Sequence, residues 1–223
     1  MSASDNDTNT LITHCGFIAL VGRPNVGKST LLNHLLRQKI SITSRKPQTT
    51  RHRIVGVHTT EDTQYIYVDT PGLHHDRKKP LNKLMNETVD RVIRDVDVVL
   101  FLVERLAWTA EDELVVQALK GIDKPVLLLI NKCDLLSDKS RMLPHIDALS
   151  RKMTFAEIIP VSALKGHNLD VIDEVVKKFS EKVPLGRLAK VEEVTAVTTF
   201  LCSKGADYMT GQAINITGGR EMH

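Results

Sequence analysis

Eight residues, Gly22-Arg23-Pro24-Asn25-Val26-Gly27-Lys28-Ser29, carry the spacing G-x-x-x-x-G-K-[ST] directly after the apolar run Phe17 to Val21. Glycines at those places let successive backbone N–H groups turn toward phosphate oxygens. Lys28 then reaches the β and γ phosphates, and the Ser29 hydroxyl is a ligand for Mg²⁺. Thr30 to Leu36 follows with helical spacing, so a helix N-terminus would face the same anion.

Three more polar turns each follow a short apolar run. Tyr65 to Val68 leads into Asp69-Thr70-Pro71-Gly72-Leu73, Val126 to Ile130 into Asn131-Lys132-Cys133-Asp134, and Ile158 to Val161 into Ser162-Ala163-Leu164. In a parallel sheet all four turns fall on one edge, where open α/β sheets bind ligands. Asp69 suits a metal held through water, and the Gly72 N–H suits a γ phosphate. Asp134 offers two acceptor oxygens side by side, matching the ring N–H and amino group of guanine and meeting an acceptor on adenine. Asn131 and the Lys132 stem would buttress the base, and a backbone N–H near Ala163 would meet the guanine carbonyl. N-K-x-D alone is commonly just a turn; four such segments in order along one edge carry the reading. Gly22, Arg23, Pro24, Asn25, Val26, Gly27, Lys28, Ser29, Thr30, Asp69, Thr70, Pro71, Gly72, Leu73, Asn131, Lys132, Cys133, Asp134, Ser162, Ala163 and Leu164 therefore form the candidate nucleotide set.

The elements that must position these turns are legible as apolar runs and helical spacings. Strands are expected at 16–21, 53–59, 64–69, 97–103, 125–131 and 157–161, with helices near 28–37, 80–94, 111–120, 140–152 and 169–180. Thr60-Glu61-Asp62-Thr63 is short enough for a hairpin, which makes one edge antiparallel. The predicted fold is α/β: a P-loop domain with a mostly parallel six-stranded sheet and helices on both faces, followed by a short helix–strand segment. A hydrophobic share of 42% with only 4% aromatic residues agrees with aliphatic buried strands.

The chain has 223 residues and a net charge of +3. Local basicity is stronger: Arg37, Lys39, Arg45, Lys46, Arg51 and Arg53 crowd one stretch. That stretch reads either as an RNA contact or as a solvated loop, since no aromatic side chains interleave for base stacking. Cys15, Cys133 and Cys202 are scattered without metal-ligand spacing, which suits a reduced cytoplasmic protein. No long apolar span indicates an integral membrane protein, and residues 1–11 are expected to be disordered.

At these residues the chain resembles the G domain of the Era-type ribosome-associated GTPases over about its first four-fifths. The likeness extends to Ile40-Ser41-Ile42-Thr43-Ser44 and Gln48-Thr49-Thr50-Arg51-His52-Arg53, which look like the family's switch I, and to Asp69 through Leu73 with His74, which look like the start of switch II. The resemblance implies a GTP- and GDP-binding switch that hydrolyses GTP slowly with Mg²⁺, held by Ser29, Asp69 and one of Thr49 and Thr50, of which Thr50 is favoured. Lys28, Asn25 and Thr50 are the implied catalytic residues. Leu73 stands where Ras-like enzymes carry a water-orienting glutamine, and the asparagine matching Asn25 helps related GTPases bind K⁺. The implied partners are 16S rRNA and the small ribosomal subunit.

The G-domain likeness spans 12–180 and then stops. Era-type proteins continue into an RNA-gripping KH domain with a G-x-x-G loop, and none of the twelve glycines here has another three residues away. Residues 181–223, including Val183 to Leu188, Tyr208 to Gln212 and Asn215 to Gly219, instead resemble the C-terminus of short-chain dehydrogenases/reductases, in an apparent fusion without a complete domain. Val191 to Leu201 reads as an amphipathic helix and Ala213 to Thr217 as a short strand. A fragmentary NAD(P)-dependent oxidoreductase is the weakest functional reading, because Tyr65, Tyr67 and Tyr208 all lack a lysine four residues on. The stronger alternative is a ribosome- or RNA-docking module with little hydrolysis.

If Asp134 reads the base, Asp134→Asn replaces an acceptor with a donor and shifts preference from guanosine to xanthosine nucleotides. Competition binding with GDP and xanthosine diphosphate measures this, and unchanged GDP affinity contradicts the assignment.

Overall fold

The computed structural model describes residues 14–37, 54–60, 63–70, 89, 91–182, 191–210, 214 and 216. Thr49, Thr50, Pro71, Gly72, Leu73 and His74, the basic residues Lys39, Arg45, Lys46, Arg51 and Arg53, the 1–11 segment and most of the expected 213–217 strand lie outside them.

Among the described residues, seven strands form the sheet: β1 (His14–Val21), β2 (Ile54–Thr59), β3 (Thr63–Asp69), β4 (Val98–Glu104), β5 (Val126–Asn131), β6 (Glu157–Pro160) and β7 (Glu181–Lys182). Their order is β2-β3-β1-β4-β5-β6, with β7 pairing β1. β1, β4, β5 and β6 run parallel. β2 and β3 are neighbours in the sheet, and Thr60, just past β2, donates its N–H to Thr63 O at 2.8 Å, in keeping with the expected hairpin.

Period-2 alternation sorts the strand residues into two apolar layers. Ile18, Leu20, Tyr67, Leu100, Leu102, Leu127 and Leu129 face one layer, completed by α1 (Lys28–Leu35) and α4 (Leu169–Phe179). Ala19, Val21, Val99, Phe101, Val103, Leu128 and Ile130 face the other, covered by the helical residues 89 and 91–94, by α2 (Ala110–Leu119) and by α3 (Met142–Ser150). Both faces are covered, so the central strands are apolar throughout, as parallel sheets require.

Local chemistry sets the element ends. Thr109 and Asp112 form a capping box at the start of α2, each side chain meeting the other's backbone N–H. Phe17 N donates to the Asp97 carboxylate at 2.6 Å, tying the entrance of β4 to β1. On the α4 side, Tyr67 donates its hydroxyl to Asp173 Oδ1 at 3.0 Å. On the opposite face Trp108 meets Phe101 edge-on, with Lys152 Nζ 5.3 Å above its ring and its indole N–H given to Glu113 at 3.1 Å.

One strand was not anticipated. Register between β1 and β4 begins only at Ile18, while His14 and Cys15 pair antiparallel with Lys182 and Glu181. The leading residues of β1 thus find backbone partners in β7, too short a strand for periodicity to reveal. Two compact units result: one of Gly16–His58 and Tyr65–Ser180, the other of the chain ends with Thr59–Gln64. In the second unit, α5 (Val191–Leu201) occupies the span expected of the tail helix, followed by a 3-10 turn at Lys204–Ala206 whose start Ser203 caps by accepting from Gly205 N. Val194, Phe200 and Leu201 of α5 are exposed.

Leu102 is fully buried in β4, so Leu102→Ala should cost about 2–5 kcal/mol of unfolding free energy. Exposed Leu143→Ala should stay within about 0.5 kcal/mol. Urea denaturation measures both, and equal losses would contradict the two-layer core.

Candidate nucleotide site

The turn between β1 and α1 has the backbone of a phosphate cradle. Gly22 sits at φ 150°, and a Cβ there would lie 2.6 Å from the Leu102 carbonyl of β4, so only glycine lets the loop pass that strand. Gly27, at φ 105°, is the N-cap of α1 and lies against the Asn131 amide. Asn25, between them, is exposed and left-handed at φ 63°.

Lys28 is buried at the first position of α1, and its ammonium donates to the carbonyls of Gly22 at 2.9 Å and Arg23 at 3.0 Å. The lysine thereby holds the loop's curvature. Burial dominates its electrostatics and, with Arg23 adding to it and Asp69 opposing it, lowers its pKa to about 8. Ser29 Oγ donates to Asp69 Oδ2 at 3.0 Å, and Asp69, at the end of β3, is fully buried. A hydroxyl and a carboxylate meeting beside a phosphate loop are hard oxygen donors of the kind Mg²⁺ takes together with water and phosphate oxygens, so this pair fits that ion. Thr30 is half-buried in the first turn of α1.

The N-K-x-D turn follows β5 and is tied to two other loops. Asn131 is buried; its amide donates to Val26 O in the phosphate loop at 2.7 Å, and its carbonyl accepts from Ala163 N at 2.9 Å. Lys132, left-handed at φ 62°, extends Nζ to Asn25 O at 3.0 Å. Ser162 Oγ donates to Asp134 Oδ1 at 2.6 Å and accepts from Lys165 N at 3.1 Å, which fixes the carboxylate expected to read the base. Cys133 N donates to Val161 O at 3.1 Å, and Leu164 is exposed.

All of the candidate residues that are described thus gather at the carboxyl edge of the strands, and the geometry sharpens three of them. The Arg23 guanidinium is engaged by Glu104 at 3.0 Å and by Asp112 at 3.4 Å, so this residue serves the loop through its backbone carbonyl. Thr70 is buried and donates its hydroxyl to Leu20 O at 2.6 Å, fastening the exit of β3 to β1. Near Ala163, where a backbone N–H is expected at the guanine carbonyl, the N–H of Ala163 itself donates to Asn131.

Sequence reasoning missed Glu104 altogether. This last residue of β4 receives Arg23 and, at Oε1, both Lys132 at 3.2 Å and Arg105 at 3.3 Å. Burial pushes its carboxyl pKa up, but the Lys132 hydrogen bond and the charges of Lys132, Arg23 and Arg105 outweigh it and hold the group below the ordinary value. The only signal in the sequence was an acidic residue ending an apolar strand.

Comparison with known proteins agrees with this arrangement. Residues 17–132 match the model of a family described as 50S ribosome-binding GTPase, and residues 157–221 match one described as Enoyl-(Acyl carrier protein) reductase. GTPase Era of Yersinia enterocolitica is 60% identical over 166 residues, 74% of this chain and 55% of that protein. GTPase Era of Yersinia pestis is 58% identical over the same length. The chain therefore spans about half the length of the curated relatives it matches. Among solved structures, Era bound to MgGDPNP and nucleotides 1506–1542 of 16S ribosomal RNA superposes with a TM-score of 0.74 at 38% identity, covering 81% of this chain and 61% of that one. An Era variant from Aquifex aeolicus bound to GDP and AlF4⁻ gives 0.71 at 40% identity, covering 76% and 58%. Among the described residues, no helix is long and apolar enough to cross a membrane.

Lys28 yields a pH dependence. Nucleotide phosphates raise its pKa above the free value of about 8, so the complex holds more protons than the free protein above that pH. Affinity for GDP should therefore fall as pH rises through that value, by about fourfold between pH 7 and pH 8.5, with net proton uptake. Titration calorimetry in buffers of different ionisation heat measures both, and constant affinity without uptake contradicts the assignment.

Proposed function

This chain belongs to the ribosome-binding GTPase family and is Era-type in its G domain, and from that premise we propose that it binds GTP and GDP as a switch and hydrolyses GTP slowly. The observation that carries the reading is the Asn131 side chain, which locks the phosphate loop, the N-K-x-D turn and the Ser162–Ala163 turn into one constellation. Asp134, held by Ser162, reads the guanine edge, and the Lys132 stem lies along the base. Lys28 and the loop N–H groups stabilise negative charge on the transferring phosphoryl group. Ser29, Asp69 and Thr50 would hold Mg²⁺, which would supply positive charge against that of the nucleotide phosphates. Leu73 offers no water-orienting amide, in keeping with slow turnover, and exposed Asn25 is the residue we assign to K⁺.

The G domain on this reading occupies residues 12–180, and 181–223 form a reductase-like segment outside the nucleotide chemistry. 16S rRNA and the small ribosomal subunit are the partners we favour, in the cytoplasm. The solved Era complex with 16S RNA supports this, as does the basic stretch from Arg37 to Arg53.

Multiple-turnover assays should show phosphate release from GTP and none from ATP, faster in potassium than in sodium, with the potassium advantage lost in Asn25→Asp. GDP binding without turnover would favour the docking-module reading instead. Equal rates in the two salts would remove Asn25 from its role.

A further inference from the structure

Glu104 lies at the carboxyl end of β4 in register with Asn131 of β5, on the sheet edge where the nucleotide residues converge. Its two oxygens divide between loops that are far apart in sequence. Oε2 accepts from Arg23 of the phosphate loop at 3.0 Å, while Oε1 faces Lys132 of the N-K-x-D turn at 3.2 Å and Arg105 at 3.3 Å. Only 17% of its side chain is exposed, so screening by water is limited.

Each cation has a further tie that makes its position matter. Lys132 also reaches Asn25 O at 3.0 Å, so Glu104 and the phosphate loop together determine where its stem runs. Arg23 is held on its other side by fully buried Asp112 at 3.4 Å, and its carbonyl is one of the two that hold Lys28. Arg105 is left-handed at φ 46° and gives its N–H to Asn131 O at 2.9 Å. The carboxylate is therefore the meeting point of the phosphate-binding and base-binding halves of the site.

We propose that Glu104 is a positioning residue for the guanine nucleotide, fixing Lys132 against the base and Arg23 under the phosphate loop through one carboxylate. The inference rests on the nucleotide reading above and adds to it a residue outside the four sequence motifs.

Elementary electrostatics makes the proposal falsifiable in sign. A carboxylate acting only by its charge would repel nucleotide phosphates, so neutralising it would slow their release. A positioning carboxylate has the opposite effect: without it Lys132 and Arg23 lose their common anchor, and release quickens.

The test is dissociation of a fluorescent GDP analogue from the full chain with Mg²⁺. Glu104→Gln, which keeps the size and an acceptor, should speed release about tenfold or more. In a Lys132→Ala background the same change should accelerate release several-fold less, because of the two loop contacts only the one to Arg23 is left for it to remove. Glu104→Asp, retaining the charge on a shorter stem, should recover part of the loss, and thermal melts confirm that each variant is folded. Release from Glu104→Gln at the wild-type rate or slower overturns the inference, as does the same acceleration with or without Lys132. Failure of the unmodified chain to bind the analogue would instead overturn the nucleotide reading itself.

Discussion

A single buried amide, the Asn131 side chain, holds the geometry of the site. Its N–H group satisfies Val26 O and its oxygen satisfies Ala163 N, so both halves of one polar group are spent on loops that follow other strands. Leaving a buried donor or acceptor unmade costs about 1–3 kcal/mol, so each loop stays where Asn131 finds it. The amide is placed in turn by β5, whose six residues are all buried between the two apolar layers. The core thus acts on the chemistry through one side chain at the end of one strand.

Around this amide, charge is arranged so that few groups stand alone. Lys28 is turned onto two loop carbonyls, Arg23 lies between Glu104 and Asp112, and Lys132 joins Glu104 to Asn25. Asp112 also caps α2, so a helix start and the phosphate loop share one buried carboxylate. Burial pushes the pKa of Asp112 up, against the opposing pull of its Thr109 hydrogen bonds and Arg23. The effect is a rim whose charged side chains are each engaged by a neighbouring carboxylate or loop carbonyl.

Much of this was legible in the sequence, for identifiable reasons. Gly22, Lys28, Ser29, Asn131 and Asp134 lie within or at the borders of short turns, where spacing along the chain is already the spatial arrangement. The strands announced themselves because central parallel strands are apolar on both faces, as Val98 to Val103 and Val126 to Ile130 are. Glu104 escaped because its meaning arises only when β4 and β5 come into register; Arg23 stands 81 positions away. The role of the Thr70 hydroxyl, which donates to Leu20 O of β1, likewise shows only once β1 and β3 lie side by side. The two residues of β7 carry no periodicity, so only the folded chain reveals them.

Trp108 is the one tryptophan in the chain, packed edge-on against Phe101 of β4 and roofed by Lys152. All indole emission from this protein therefore originates at one point, four positions beyond Glu104, where β4 hands over to α2. The indole is bounded by an aromatic edge from β4, an ammonium from Lys152 and a carboxylate from α2, the groups that set its emission. The fold thereby contains an optical gauge of its own, needing no label and overlapped by no second indole anywhere in the chain.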